Sequence, residues 1–117
     1  MAARVRKTTT TLVRVRTARA EREPGCCPHY HEAIELIGKR WTGAIVRVLL
    51  SSGPLRFSQI AHAVPELSDR LLSERIKELE ARGLVVREGN VYALTEMGAE
   101  LEPALVHVEL WAQRWLR

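Results

Sequence analysis

The chain has 117 residues, of which 46% are hydrophobic and 27% charged, and its formal net charge is +4. This length suits one globular domain with its own core, and no apolar run approaches the roughly 20 residues of a membrane helix, so we expect no membrane span. The first thirty residues lack the apolar stretch of a secretory signal, which predicts a cytoplasmic location.

The charge is unevenly distributed along the chain. Residues 1–24 carry seven basic and two acidic side chains, a net +5, whereas the remainder carries eleven basic and twelve acidic ones, a net −1. Within that remainder, residues 39–87 hold nine basic and five acidic groups, a net +4, and are therefore expected to face a polyanion. Residues 1–25 are predicted to form a flexible basic arm. Their composition fits a solvated N-terminal tail with no function equally well.

Four elements are predicted after the arm. Apolar residues three and four positions apart indicate an amphipathic helix over residues 29–38, and the almost wholly apolar residues 41–51 indicate a central helix. Residues 55–57 are long enough only for a short extended segment. Ser58 is then predicted to cap a short helix over residues 59–64.

The next predicted helix has the clearest pattern. Ser68 is a good N-cap for a helix over residues 70–82, and Gly83 is a natural residue for its end. At 100° per residue, its apolar side chains gather on one inward face and its polar ones on the opposite face. The inward face carries Leu72, Ile76 and Leu79, and the outward face carries Arg70, Ser73, Glu74 and Lys77.

A β-hairpin and a long helix complete the chain. Residues 84–87 and 91–94 read as two strands, joined through a turn in which Gly89 and Asn90 tolerate positive φ angles. A last helix is predicted over residues 96–116, bent near Pro103. Its apolar positions cover more than one stripe, so a partner subunit is expected to cover it. The predicted dimer interface comprises Leu101, Leu105, Val108, Trp111 and Trp115, with Ile34 of the first helix.

This order of elements predicts a mainly α fold with a small β-hairpin: a winged helix-turn-helix domain over residues 26–117, with N- and C-terminal dimerisation helices. The major groove admits one α-helix, and a second helix braces it. Here residues 59–64 would brace and the helix after Ser68 would enter the groove.

Six segments, in order, resemble the HxlR-type transcriptional regulators of bacteria and archaea: CP at 27–28, LIGKRWT at 36–42, GPLRFSQI at 53–60, LSDRLLS at 67–73, LEARGLV at 79–85 and YALTEMG at 92–98. The resemblance covers about residues 26–116. It implies a homodimeric DNA-binding protein that represses or activates nearby genes, often in response to oxidants or electrophiles. The wing is shorter than is usual in that family, and the basic arm, which lies outside the usual pattern, could substitute for it.

The candidate DNA contacts fall into two groups. Base edges in the groove and the adjoining phosphates are expected to meet Arg70, Ser73, Glu74 and Lys77, since arginine pairs with guanine and glutamate accepts from cytosine. The alternative is a solvated helix face with an i, i+4 pattern. Contacts to phosphate, or close to it, are expected from Lys39, Arg40, Arg56, Ser58, Gln59, Ser68 and Arg87. For Lys39 and Arg40 the alternative is that they only solubilise the junction between two helices.

Cys27 precedes Pro28 as the sensing cysteine does in redox-responsive members of that family. A thiol must be accessible and nucleophilic to react, and a position at a helix start favours both conditions. Cys26 could resolve a sulfenate or bridge to the other subunit. The alternative is two unreactive thiols near a junction. Cys26, Cys27, His29 and His31 also place four potential metal ligands within six residues, but one short loop cannot easily wrap a tetrahedral ion.

The predicted function is that of a dimeric, sequence-specific DNA-binding regulator, a repressor, which reads an inverted-repeat operator and responds to an oxidant or small molecule. Neither a metal nor another cofactor is expected. The sequence contains no phosphate-binding glycine loop, spaced metal motif or nucleophile elbow, so no enzyme activity is expected. The alternatives are a winged-helix module that binds other proteins, and a metal-responsive regulator that uses the four ligands after residue 25.

Overall fold

The computed structural model describes residues 27–117, so the predicted arm at 1–25 and Cys26 lie outside the described residues. Residues 27–35 belong to one compact unit, and Leu36–Arg117 form a second. The elements in chain order are α1 (Pro28–Ile37), α2 (Thr42–Ser52), β1 (Leu55–Arg56), α3 (Phe57–Ala63), α4 (Asp69–Ala81), β2 (Val85–Glu88), β3 (Val91–Leu94), α5 (Glu96–Ala99) and α6 (Glu102–Trp115).

The second unit is built around α2. Its apolar residues Ile45, Val46 and Leu49 are almost fully buried, as the near-continuous apolar run predicts. Helix α2 packs against α3, α6 and β3, so the elements before and after the helix-turn-helix share one core. The central position predicted for this helix is confirmed.

The structure has α4 over Asp69–Ala81, within one residue of the prediction at each end, and Ser68 is its N-cap as predicted. The Ser68 hydroxyl accepts a hydrogen bond from the Leu71 amide at 3.1 Å, which satisfies one of the amides left unpaired at a helix start. Gly83, just past the end of the helix, has a φ of 87°, a conformation that glycine adopts without strain. The inward face is buried as predicted, with Leu72 and Leu79 at 0% exposure and Ile76 at 2%.

The prediction that Ser58 caps α3 is wrong. The helix begins one residue before Ser58, and Arg56 occupies the N-cap position. The Gln59 side chain, three residues on, reaches back and accepts a hydrogen bond from the Arg56 amide at 2.9 Å. This glutamine half of a capping box holds the start of the helix, so Ser58 lies in the first helical turn.

The hairpin is part of a three-stranded antiparallel sheet of order β1-β3-β2. The additional strand, β1, has only two residues and pairs Leu55 with Tyr92 and Arg56 with Val91. In the hairpin turn only Gly89 has a positive φ, of 65°. Of the two turn residues predicted to tolerate such an angle, Gly89 alone uses it, as the first central residue of a type II′ turn does.

The C-terminal segment forms two helices where one bent helix was predicted. Helix α5 ends at Ala99 and α6 starts at Glu102, so Pro103 lies in the first turn of α6 and does not bend a longer helix. The Thr95 hydroxyl caps α5 by accepting from the Gly98 amide at 3.2 Å. A Cβ at Gly98 would lie 2.3 Å from the Leu84 carbonyl oxygen, so only glycine lets α5 approach the chain before β2 this closely.

Candidate nucleic-acid interface

The outward face of α4 is polar and solvent-accessible. The Arg70 side chain is 89% exposed, and Glu74 and Lys77 are also exposed, whereas Ser73 is half-buried. Arg70 Nε lies 3.5 Å from Glu74 Oε2, one helical turn away, a contact weak enough for DNA to replace. The short Ser73 side chain leaves room for a base edge between longer neighbours. The face therefore offers both donors and acceptors to a groove.

The start of α3 presents one exposed guanidinium next to a structural cap. Arg56 is exposed, and its own amide is already bonded to Gln59. The side-chain oxygen of Gln59 accepts this bond. The side-chain amide nitrogen of Gln59 is the atom that can donate to a phosphate. Ser58 is exposed in the first turn, where helix amides point toward the solvent.

Arg87 on the wing makes two contacts within its own hairpin. Its Nε donates to the Gly89 carbonyl at 3.1 Å, and its guanidinium lies 5.6 Å from the centroid of the Tyr92 ring. Tyr92 is its cross-strand partner in the hairpin register. These contacts direct Arg87 along the hairpin and make it a more constrained phosphate ligand than Arg56.

Three side chains and one carbonyl connect the turn after α1 to α4. Lys39 Nζ lies 2.9 Å from Glu78 Oε2, and Arg75 Nη1 lies 3.5 Å from the same oxygen. Arg75 Nε also donates to the Arg40 carbonyl at 3.0 Å, while the Arg40 guanidinium lies 5.0 Å from the Trp41 ring centroid. We call Lys39, Arg75, Glu78 and the Arg40 carbonyl the flank cluster.

Only part of the flank cluster is predicted from the sequence. Lys39 and Arg40 are predicted phosphate contacts, whereas Arg75 and Glu78 are not among the predicted site residues. The i, i+3 spacing of Arg75 and Glu78 on α4 was a visible signal for their pairing. The partnership with Lys39, at a separation of 39 residues, had no local signal.

Helix α6 carries an exposed apolar row. Val108 is 60% exposed, Trp111 56% and Trp115 47%, and Ala104 continues the row toward the helix start. Their spacing of four, three and four residues aligns them on one side, which we call the α6 row. Leu101 and Leu105, predicted for the same interface, instead pack in part on the core of their own chain. Ile34 on α1 is 45% exposed.

Cys27 lies immediately before α1 and is exposed. Its carbonyl accepts from the His31 amide at 3.2 Å, which starts the helical hydrogen-bond pattern. Among residues 27–117, no three His, Cys, Asp or Glu side chains are grouped closely enough to hold a metal ion, and Cys26 of the four candidate ligands lies outside the described residues. Within the same part of the chain, the helices are too short or too polar to cross a membrane.

The chain matches the family model of HxlR-like helix-turn-helix proteins over residues 36–117. YvaP of Bacillus subtilis (strain 168), an uncharacterised HTH-type transcriptional regulator, is 42% identical over 77% of this chain and 89% of its own. The quinone-bound crystal structure of YodB from B. subtilis is 40% identical, with a TM-score of 0.72 over 77% of this chain and 100% of that chain. The redox regulator HypR in its reduced form is 29% identical, with a TM-score of 0.68 over 73% and 90%.

The family match includes the helix-turn-helix, which carries the polar face of α4, together with the wing and the C-terminal helix. The likeness to YodB extends over the same architecture in three dimensions. With its winged-helix fold and its match to transcriptional regulators in both sequence and structure, the chain belongs to the HxlR-like helix-turn-helix family and is a DNA-binding transcriptional regulator.

Proposed function

We propose that the protein is a homodimeric repressor that reads an inverted-repeat operator through the outward face of α4 and releases it after oxidation or electrophile attack at Cys27. The observation that carries the DNA-reading part is the division of α4: Leu72, Ile76 and Leu79 fill the core, and the opposite side leaves Arg70 almost fully exposed. A helix anchored in this way can enter a major groove without losing its packing.

Arg70 and Glu74 are the principal base contacts in this proposal. Arg70 lies near the N-terminus of α4, the end that enters the groove in helix-turn-helix proteins, and its guanidinium can donate two hydrogen bonds to guanine. Glu74 can accept from a cytosine amino group. Ser73 and Lys77 flank them on the same face. Arg56, with Ser58 beside it and Ser68 at the start of α4, positions the protein on the phosphates.

The α6 row supports the homodimer. A second copy of this chain presents the same row, so a two-fold axis would bring the tryptophans of both subunits into one apolar contact. Ile34 of α1, the other residue that the sequence predicts for the dimer interface, is also exposed. Two α4 helices about 34 Å apart would then read two half-sites of an inverted repeat. Sedimentation of the wild type as a dimer at micromolar concentration tests this part.

The relatives support a response to oxidants. YodB has been solved in quinone-bound and diamide-treated forms, and HypR is a redox regulator solved in reduced and oxidised forms. In this chain the exposed Cys27 at the start of α1 is the corresponding candidate. A quinone would add to the thiol and form a thioether. Diamide would take two electrons and two protons from two thiols, of Cys27 and of a partner cysteine, and leave a disulfide.

DNA reading is tested with an operator located by genomic footprinting and a random duplex of equal length. We expect Arg70→Ala to weaken operator binding about tenfold or more and random binding little, because it removes a base contact worth about 1–3 kcal/mol. Arg56→Ala, the matched control, should weaken both DNAs to a similar extent. Equal behaviour of wild type and Arg70→Ala on the operator would refute reading by this face.

Sensing is tested by treating the wild type, Cys27→Ser and Cys26→Ser with diamide. We expect the wild type to form a dithiothreitol-reversible dimer on a non-reducing gel and to lose operator affinity, and Cys27→Ser to do neither. Cys26→Ser, the matched control, removes the neighbouring thiol and shows whether that thiol is the bridging partner. A Cys27→Ser protein that responds like the wild type would end this assignment.

A further inference from the structure

The flank cluster lies where it can set the position of α4 without reaching a base. At 100° per residue, Arg75 and Glu78 lie to one side of α4, between its buried face and its outward face. Arg75 is only 13% exposed, whereas Arg70 on the outward face is 89% exposed. Their partners, Lys39 and the Arg40 carbonyl, belong to the turn between α1 and α2. One side of α4 is thus tied to a segment outside the helix-turn-helix.

The turn that holds α4 is itself fixed. Trp41 has a φ of 77° and is the single non-glycine residue with a positive φ within residues 27–117. A bulky residue keeps such a conformation only where its surroundings hold it. In this turn the Trp41 side chain packs on the core and the Thr42 amide donates to the Lys39 carbonyl at 3.1 Å. Arg75 binds the carbonyl immediately before this residue, so it attaches α4 to a rigid point.

We propose that Glu78 and Arg75 are positioning residues for DNA reading, which hold α4 by its flank so that its outward face meets the bases at a fixed angle. This rests on the proposed reading by α4. Binding constellations tolerate displacements of only about 0.5 Å or 10–20°, so a helix that rocks loses base contacts while phosphate attraction remains. Lys39 then acts on α4 through Glu78 and not on a phosphate.

The charge of Glu78 separates positioning from simple electrostatics. A carboxylate beside a DNA-facing surface repels phosphates, so if charge alone mattered, Glu78→Gln would bind every DNA more tightly. Positioning predicts the opposite sign for the operator. Partial unfolding predicts a third pattern, in which affinity for operator and random DNA falls together. The two affinities measured side by side therefore identify the role.

The test measures dissociation constants for operator and random duplex, over a series of salt concentrations, with wild type, Glu78→Gln and Glu80→Gln. We expect Glu78→Gln to weaken operator binding about three- to tenfold and to leave random binding and its salt dependence unchanged. Glu80→Gln is the matched control: it removes the same charge from the same helix outside the cluster and should weaken neither. Operator binding by Glu78→Gln that equals or exceeds wild type overturns the proposal.

Lys39→Met is a second, independent test of positioning, because Arg75 still pairs with Glu78 in that variant. Positioning predicts a smaller loss for the operator alone, at an unchanged salt slope. A phosphate contact predicts losses on both DNAs and a slope lower by about 0.9, which would overturn the positioning role of Lys39. If Glu78→Gln fails to fold by circular dichroism, Lys39→Met decides the matter.

Arg70→Ala keeps the two proposals distinguishable. If Arg70→Ala binds the operator as well as wild type, reading by α4 fails and positioning fails with it. If Arg70→Ala loses the operator but Glu78→Gln keeps it, reading stands and positioning alone is overturned.

Discussion

Helices α4 and α6 both pack one side on the same core, but their outer sides have opposite chemistry. On α4 the outer side carries Arg70, Glu74 and Lys77, which water solvates well in the absence of DNA. On α6 it carries Val108, Trp111 and Trp115, each about half exposed. A polar face remains well solvated when its partner is absent, so it suits a transient contact. An apolar row of this size favours a stable contact that buries it.

The difference supports the distinct kinds of partner that we propose for the two helices. Polyanion contacts need charge and tolerate water, which suits a reversible regulator. Two tryptophans in one row supply the large apolar area typical of interface centres. The Arg47–Glu109 ion pair, at 3.0 Å, connects α2 to a different side of α6 and so leaves the row outward. Variants that affect only one of the two helices test this division.

The largest effect is expected from Trp111→Glu. A charge in the centre of an apolar dimer contact should raise the dissociation constant of the dimer about 100-fold, since central aromatic residues contribute about 2–4 kcal/mol. Operator affinity should fall as well, because a monomer meets only one half-site. Sedimentation velocity and a mobility shift measure the two effects.

Leu110→Glu is the control for Trp111→Glu. Leu110 is 53% exposed on the same helix but lies to the side of the α6 row, so its replacement should leave the dimer intact. If both variants dissociate equally, or if the wild type sediments as a monomer, the row is not the subunit contact and the comparison of α4 with α6 fails.

A smaller effect is expected from Gly98→Ala, which tests how the chain reaches α6. The added methyl would lie 2.3 Å from the Leu84 carbonyl oxygen, so backbone must shift, and we expect the free energy of unfolding to fall by about 1–3 kcal/mol. Gly43→Ala is the matched control, because that helical glycine has nothing within 4 Å of its Cβ position. It should leave stability equal or raise it by up to about 1 kcal/mol. Urea denaturation measures the free energy of unfolding of both variants. A Gly98→Ala protein as stable as wild type would contradict the close approach of α5 to the Leu84 carbonyl.

The same two helices show what the sequence could predict. Helix α4 has a cap at each end and one apolar stripe, so its start, its end and its buried residues were predictable from local rules. The segment after Thr95 is apolar on several sides and has no single stripe, so neither the break before α6 nor the packing of Leu101 and Leu105 on their own core could be predicted.

Contacts between distant segments were not predictable, for a common reason. The short extended segment at residues 55–57 is a sequence prediction, but its pairing with β3, more than thirty positions later, through Leu55 and Arg56 is not. Arg75 lies on the flank of α4, and its role is visible only in the structure, where its side chain donates to the Arg40 carbonyl. Local periodicity carries no signal of either pairing.

The smallest effect is expected from Ser68→Ala, which sharpens the α4 side of the comparison. Loss of the bond to the Leu71 amide should lower the free energy of unfolding by about 1 kcal/mol, whereas Ser68→Asp keeps an N-cap acceptor and should stay within a few tenths. The aspartate also places a negative charge beside Arg70. The affinity of the Ser68→Asp variant for random DNA should therefore fall, although its free energy of unfolding does not. Thermal denaturation and mobility shifts separate the two effects; a Ser68→Asp protein that binds DNA as tightly as wild type would mean that the start of α4 does not approach the phosphates.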